Sequence, residues 1–300
     1  MTDVELPFFF VDVFAREPLS GNPLALVPNA DAIDVARMKA IAQEFNQSET
    51  TFLLRPTAPT AHWRLRSFTA VGVEVLGAGH NAMGAWIWLA QSGELPADQT
   101  RFRQEIGDDV LAVEVTRRDG DARHLVTMDQ SAPQFAATVI DRAALASALG
   151  LDAVDLAPDD SPQVVSTGVG HLLVPLHDRT AVDRATPDSS RLLAVLRDAE
   201  GEGCYVYTRD AGTDAVAYAR FFNPTVGIVE DPATGTAAGP LAARLVDQGH
   251  VAAGAPATIE QGTALGRPSR LEVTVDGPLV RLSGSGVLTA SGTLHLPARS

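Results

Sequence analysis

The sequence is short of cysteine, lysine and positive charge, and each shortage closes off a class of function. Cys204 is the only cysteine, so no intrachain disulfide and no cysteine-pair chemistry is available. Lys39 is the only lysine, and arginine carries the rest of the positive charge. The formal net charge is −14. With so little basic surface, neither nucleic acid nor an anionic membrane is expected as a partner. No apolar run approaches the roughly 18 residues of a membrane span. The start, Met1-Thr2-Asp3-Val4-Glu5, is acidic where a signal peptide would be basic. A cytoplasmic location is therefore the expectation. The seven histidines have no metal-ligand spacing, so no metal is expected. A P-loop and the Gly-x-Ser-x-Gly elbow of serine hydrolases are also missing.

What the chain does have is a duplication. Gly79-His80-Asn81-Ala82 runs through Leu89 to Gly93, and Gly235-Thr236-Ala237-Ala238 runs through Leu245 to Gly249. Each is a glycine-containing loop that opens an apolar helix and closes on glycine. Ala82, Met83, Ala85, Trp86, Ile87, Trp88 and Leu89 leave the first helix almost no polar face. Such a helix must be covered on every side. Around both helices the sequence reads mainly as short strands: 8–14, 24–27, 50–54, 62–68, 170–175, 205–207, 220–222, 271–275 and 279–282. Asp31 caps a helix starting near Ala32, with Val35, Met38, Ala42 and Phe45 as its apolar stripe. Ser189 to Ala199 reads as a further helix. Other echoes align Pro23–Pro28 with Gly170–Pro175, Phe52–Leu54 with Tyr205–Tyr207, and Arg66–Phe68 with Arg220–Phe222. Two sheets, each wrapped round its own helix, are expected. The boundaries are 1–129 for the first half, with a strand at about 287–300 returning to it, and 130–286 for the second.

The loops at the two helix starts carry different polar groups. His80 stands at one, where converging backbone N–H groups favour an anion; capping the helix is the plain alternative. Asp231, Gly235 and Thr236 stand at the other. There the amides and the hydroxyl suit a carboxylate, and an ordinary Asp/Thr helix start is the alternative. Glu49 lies at a helix-to-strand junction ahead of an apolar strand. Burial there would raise its pKa and make it a general base; a solvated loop glutamate is the other reading. Gly77-Ala78-Gly79-His80-Asn81-Ala82 also fits the dinucleotide fingerprint Gly-x-Gly-x-x-Ala. The strand-rich surroundings and its absence from the second copy argue against that function. A sheltered glutamate and two anion-receptive helix starts, one per half, suit a small carboxylate substrate in the cleft between.

At these residues the chain resembles the PhzF-like phenazine-biosynthesis family, with the diaminopimelate-epimerase fold. The resemblance rests on Gly21-Asn22-Pro23-Leu24-Ala25-Leu26-Val27, Gln47-Ser48-Glu49-Thr50-Thr51-Phe52, Ala78-Gly79-His80, Ser166-Thr167-Gly168 and the block from Gly227 to Pro240. It implies an α/β (α+β) fold of two pseudo-symmetric halves, each a mainly antiparallel sheet curled round a central apolar helix, with the active site between. It places Glu49 as catalytic acid/base, with His80 and Asp231 assisting. Gly79, Gly235, Thr236, Ser48 and Asn22 match substrate-binding positions. The implied enzyme is a cofactor-independent isomerase and a homodimer; C–C bond hydrolysis is the alternative outcome. A nicotinamide-dependent oxidoreductase and a non-catalytic ligand-binding protein are the readings from other classes. The chain departs from the family where an aromatic gives way to Gly77, Pro-Thr to Asn81-Ala82, and Ser to Thr236. A reshaped pocket is expected next to His80.

Overall fold

The computed structural model describes residues 4–117, 123–139 and 141–297. The first three residues of the acidic start and the last three of the returning strand lie outside the described residues. The fold is mixed α/β, dominated by sheet, and divides into two compact units. One comprises Met1–Met128 with Gly284–Ser300, the other Asp129–Ser283.

In the first unit, Val4–Val13 pairs antiparallel with Gly286–Leu296 on one side and Asn22–Val27 on the other. Asn22–Val27 then runs parallel to Glu49–Leu54, the crossover being the helix Val35–Phe45. Glu49–Leu54 pairs antiparallel with Trp63–Thr69, which runs parallel to Arg101–Ile106 across the helix His80–Ser92. Two antiparallel pairings, with Asp109–Arg117 and then His124–Gln130, complete the order. The helix His80–Ser92 buries every residue from Asn81 to Leu89. This is how a helix without a polar face becomes stable: the curled sheet replaces water all round. Its chain closes on Gly93, whose φ of 79° is the left-handed cap that glycine adopts at least cost. The outer face of the sheet has its own core, in which Met38, Ile41 and Ala42 pack on Phe52 and Phe68.

The second unit repeats the order. Gln134–Thr138, Gln163–Ser166 and Gly170–Pro175 pair antiparallel in turn. Gly170–Pro175 runs parallel to Gly203–Thr208, which pairs antiparallel with Ala217–Asn223. Ala217–Asn223 runs parallel to Pro256–Gln261, and antiparallel Ser269–Asp276 and Leu279–Gly284 follow. The crossover to Pro256–Gln261 is the helix Gly235–Asp247, buried almost throughout. Pro240 inside it removes the N–H that would have bonded the Thr236 carbonyl. Gly239 packs so closely that a Cβ would fall 1.7 Å from Gln130 Oε1.

Three details differ from the sequence reading. The first helix is capped by Asp34, whose side chain accepts from the Arg37 amide; Asp31 instead accepts from the Arg55 amide. Its buried stripe is Met38, Ile41 and Ala42, while Val35 is exposed. The third concerns the echo of Phe52–Leu54 in Tyr205–Tyr207, which is out by one residue. Thr50 pairs with Phe68 and Cys204 with Phe222, so Phe52 corresponds to Val206. A slip of one residue exchanges the two faces of a strand. The corrected register puts Phe52 and Val206 on the same, outer side of their sheets.

Candidate active site

In the first unit, the helix Val35–Phe45 ends at Asn46, a left-handed cap with φ 50°. The chain turns there and Glu49 opens the next strand, in register with Thr69. Solvent reaches 19 % of the Glu49 side-chain surface, but its Oε2 is shielded and has no hydrogen-bond partner. Desolvation of the charged form pushes its pKa up from 4.5 to about 7. His80 is the first residue of the central helix, and its Nδ1 lies 3.7 Å from Glu49 Oε2. The other ring nitrogen, Nε2, lies 3.5 Å from Ser48 Oγ. Ser48, Glu49 and His80, three of the residues singled out in the sequence, are thus brought together.

The loop ahead of His80 is held by Asn81. Its Oδ1 accepts from the Gly79 amide at 2.7 Å, and its Nδ2 donates to the Gly77 carbonyl at 3.0 Å and to Ser67 Oγ at 3.1 Å. Ser67 in turn shares a 2.8 Å hydrogen bond with Thr51. With the Gly79 amide committed to Asn81, that N–H of the fingerprint loop is not free for a dinucleotide pyrophosphate. For the same reason Gly79 would serve a ligand through its lack of a side chain and not through its N–H. Gly77 is exposed, and a Cβ there would meet nothing within 4 Å. Asn22 is buried at the head of its strand, in register with Val13.

The second unit builds its polar loop differently. Asp231 ends the strand Ile228–Asp231, in register with Phe221. Its carboxylate accepts from the Thr234 hydroxyl. Gln261, fully buried, latches the turn: its Nε2 donates to the Asp231 carbonyl (2.7 Å) and Thr234 Oγ1 (3.0 Å). Its Oε1 accepts from the Thr234 amide (3.1 Å) and the Tyr205 hydroxyl (2.8 Å). Burial and the neighbouring Asp231 charge keep Tyr205 protonated. The first bonds within the helix run from the Ala237 and Ala238 amides to the Thr234 carbonyl, so the Gly235 and Thr236 amides stand ahead of the intrahelical ladder. Thr236 Oγ1 lies 3.1 Å from Nε2 of the buried His171. Behind the loop, Arg220 clamps Glu230 with two bonds of 2.9 and 2.8 Å and also donates to the Val182, Asp183 and Ala185 carbonyls.

Sequence reading missed Gln261, His171 and the role of Asn81. Gln261 carries no local signal, since its partners are 27 to 56 residues away. His171 did carry one: in the echo of Pro23–Pro28 it stands where the first half has the buried Leu24. Among the described residues, no three or more His, Cys, Asp or Glu side chains group as metal ligands. No described helix is long and apolar enough to cross a membrane.

The repeated architecture defines a class, proteins built on two duplicated sheet-and-helix units, and the relatives that share it include isomerases. The phenazine biosynthesis-like (PhzC-PhzF) family model matches residues 11–292, and the chain belongs to that family. Over 297 residues it is 35 % identical to the trans-2,3-dihydro-3-hydroxyanthranilate isomerase of Pseudomonas fluorescens, covering 96 % of this chain and 99 % of the relative. A PhzF-family structure from Bacillus anthracis superposes with a TM-score of 0.89 at 25 % identity, over 97 % of this chain and 99 % of that one. A structure described as a predicted epimerase from Pseudomonas aeruginosa has a TM-score of 0.81 at 36 % identity, covering 96 % and 99 %. The chain is accordingly an enzyme of the isomerase type.

Proposed function

We propose that the chain is a cofactor-independent isomerase that moves a proton on a small carboxylate substrate, with Glu49 as the general acid/base. The observation that carries this is the setting of Glu49, whose Oε2 is shielded, makes no hydrogen bond and lies 3.7 Å from His80 Nδ1. A carboxyl with a pKa of about 7 is close to half protonated at neutral pH. It can therefore take a proton from an acidic C–H and return one elsewhere on the same molecule without a second base. The shielded Oε2 makes no hydrogen bond that would have to be surrendered before it does so. His80, 3.7 Å away, assists by stabilising the carboxylate or relaying its proton. Asp231 assists, and Ser48, Asn22 and Gly79 contribute to substrate binding. Thr236 and the Gly235 and Thr236 amides bind the substrate carboxylate at the helix N-terminus.

The test uses trans-2,3-dihydro-3-hydroxyanthranilate, the substrate named for the Pseudomonas fluorescens relative, and a panel of other small cyclic carboxylates. Glu49→Gln is expected to abolish turnover while far-UV circular dichroism stays unchanged. In deuterated water the wild-type product should carry solvent label at the carbon that receives the proton. Near-normal turnover by the variant would remove Glu49 from the mechanism.

The open space at Gly77 favours one further reading, in which a bulkier substrate and a water are admitted and the outcome is C–C hydrolysis. Product mass separates the two: isomers keep the substrate mass, and cleavage gives two fragments whose masses sum to substrate plus water.

A further inference from the structure

The second unit contains a buried group that the proton transfer does not use. His171, in the strand Gly170–Pro175, is 2 % exposed, and its Nε2 faces Thr236 Oγ1 at 3.1 Å. Its other ring nitrogen, Nδ1, has no hydrogen-bond partner. The ring is closely packed. Phe221 meets it edge to face with centroids 4.9 Å apart. A Cβ on Gly203 would come within 3.1 Å of Nδ1 and 2.5 Å of the Phe221 ring, so both rings pack directly over the bare backbone of Gly203.

The unpartnered nitrogen selects the tautomer. Burial holds the imidazole neutral, with its pKa pushed down from 6.5 to about 4, so it carries one proton. A proton on Nδ1 would leave a buried N–H unsatisfied, and Nε2 would then claim the Thr236 hydroxyl proton. A proton on Nε2 leaves a bare acceptor at Nδ1, the commoner and less costly kind of orphan. Nε2–H then donates to Thr236 Oγ1, and the hydroxyl proton must point away from the ring. Thr236 is only half buried, so that proton is directed where a ligand can meet it.

We propose that His171 is a positioning residue for substrate recognition: its Nε2–H donates to Thr236 Oγ1 and turns the hydroxyl into a dedicated donor to the substrate carboxylate. The carboxylate in this statement rests on the proposed function; the tautomer does not. In the first unit the equivalent position is Leu24, which can orient nothing, so carboxylate recognition is assigned to the second unit.

The experiment has two arms, both on the full chain. The first reads the ring nitrogens of His171 by 15N NMR in histidine-labelled protein. A protonated Nε2 and a bare Nδ1 are expected, with Thr236→Val shifting the Nε2 resonance. A proton on Nδ1 overturns the proposal without reference to any substrate. The second arm titrates two probes, 3-hydroxyanthranilate and 2-aminophenol, which is the same ring without the carboxylate. His171→Leu is expected to weaken 3-hydroxyanthranilate binding roughly tenfold, the scale of one charge-assisted hydrogen bond, and to leave 2-aminophenol unaffected. His171→Gln, which restores an N–H donor, should recover part of the loss, and His171→Leu should add nothing in a Thr236→Val background. Equal weakening of both probes, additive losses, or no binding of 3-hydroxyanthranilate by the wild type would overturn the carboxylate role. If instead Glu49→Gln keeps turnover while both arms come out as expected, the acid/base reading fails and the positioning role stands.

Discussion

The two units share strand order and register, yet equivalent positions carry opposite chemistry. Glu49 pairs with Thr69 in the first unit; the same place in the second is Gly203. Ser67 pairs with Val75, and its counterpart Phe221 pairs with Asp231. Leu24 corresponds to His171, His80 to Thr236 and Asn81 to Ala237. Each unit therefore has one carboxylate at its polar loop, but from different strands: from the start of a strand in one and the end of a strand in the other. What the two units share is the cradle: an apolar helix whose N-terminus opens beside the ends of interior strands. What diverged is the choice of which cradle position is polar. The first unit keeps a poorly solvated acid poised to titrate, with its helix loop tied down by Asn81. The second ties its acid to Thr234 and spends its buried polar groups on holding donors in place.

The largest effect should come from the position where the units differ most in charge. Glu49→Gln should lower kcat at least a thousandfold in the proposed reaction, and the same variant has a thermodynamic signature. A glutamate whose folded pKa is raised binds more protons in the folded state, so its contribution to stability is present below about pH 4.5 and is lost as pH rises towards 7. At 1.36 kcal/mol per unit, the loss approaches about 3 kcal/mol. Glu49→Gln should therefore be more stable than the wild type in urea unfolding at pH 8 and no more stable at pH 4. His171 runs the opposite way. Its folded pKa is depressed, so its contribution is present above about 6.5 and is lost as pH falls towards 4. His171→Leu should flatten the acid limb of the stability profile and leave the limb between pH 7 and 8 unchanged. Profiles that respond to neither variant would break the contrast between a buried acid in one unit and a buried base in the other.

The next effect tests the clamp behind the second loop. Both units have an Arg–Glu pair at matching positions, Arg66–Glu74 and Arg220–Glu230, and each guanidinium also lies over a phenylalanine ring. Arg220 and Glu230 side chains are each only 10 % exposed, and Arg220 also holds three main-chain carbonyls. Its loss strands a buried carboxylate and those carbonyls, so Arg220→Ala should cost about 3–5 kcal/mol by denaturant unfolding. Below it comes Gly203→Ala. A methyl there would meet the Phe221 ring at 2.5 Å, and overpacking of this kind costs about 1–3 kcal/mol. That value also bears on why the second unit has no counterpart of Glu49: the space is taken by Phe221 and His171.

The parts legible in the sequence were those whose signal is local or repeated. The central helices could be read because an apolar run without a polar face has few ways to be stable. At Glu49 the junction ahead of an apolar strand left burial and a solvated loop both open, and the choice between them depends on packing that no local pattern encodes; the approach of Ser48 to His80 is likewise a contact across 32 residues. Two aspartates stood within four residues of the first helix, and propensity could not tell that Asp31 would be drawn to the Arg55 amide. The one-residue slip at Tyr205 has a related cause. Gly203–Thr208 is buried on both faces, so no alternation fixes its register. The helices Arg142–Ala148 and Arg179–Arg184 were missed because seven and six residues are too few to show a stripe. Only their caps, Asp141 and Asp178, mark them.

The smallest effect sharpens the comparison most. Arg66 and Glu74 make the same two-pronged pair as Arg220 and Glu230, at 2.7 Å for each bond. The difference is solvent: 20 % and 32 % of these side chains remain exposed. Exposed pairs lose much of their attraction to screening and side-chain entropy, so Arg66→Ala should cost about 1 kcal/mol or less. The cost should shrink further in molar salt, where the Debye length falls to about 3 Å, whereas the cost of Arg220→Ala should hardly move. Measured in low and high salt, the two arginine variants thus ask whether one duplicated bond is a fixed strut in the second unit and a replaceable surface contact in the first. Equal costs and equal salt sensitivity would mean that burial does not distinguish the two pairs, and that the second loop is no more rigidly held than the first.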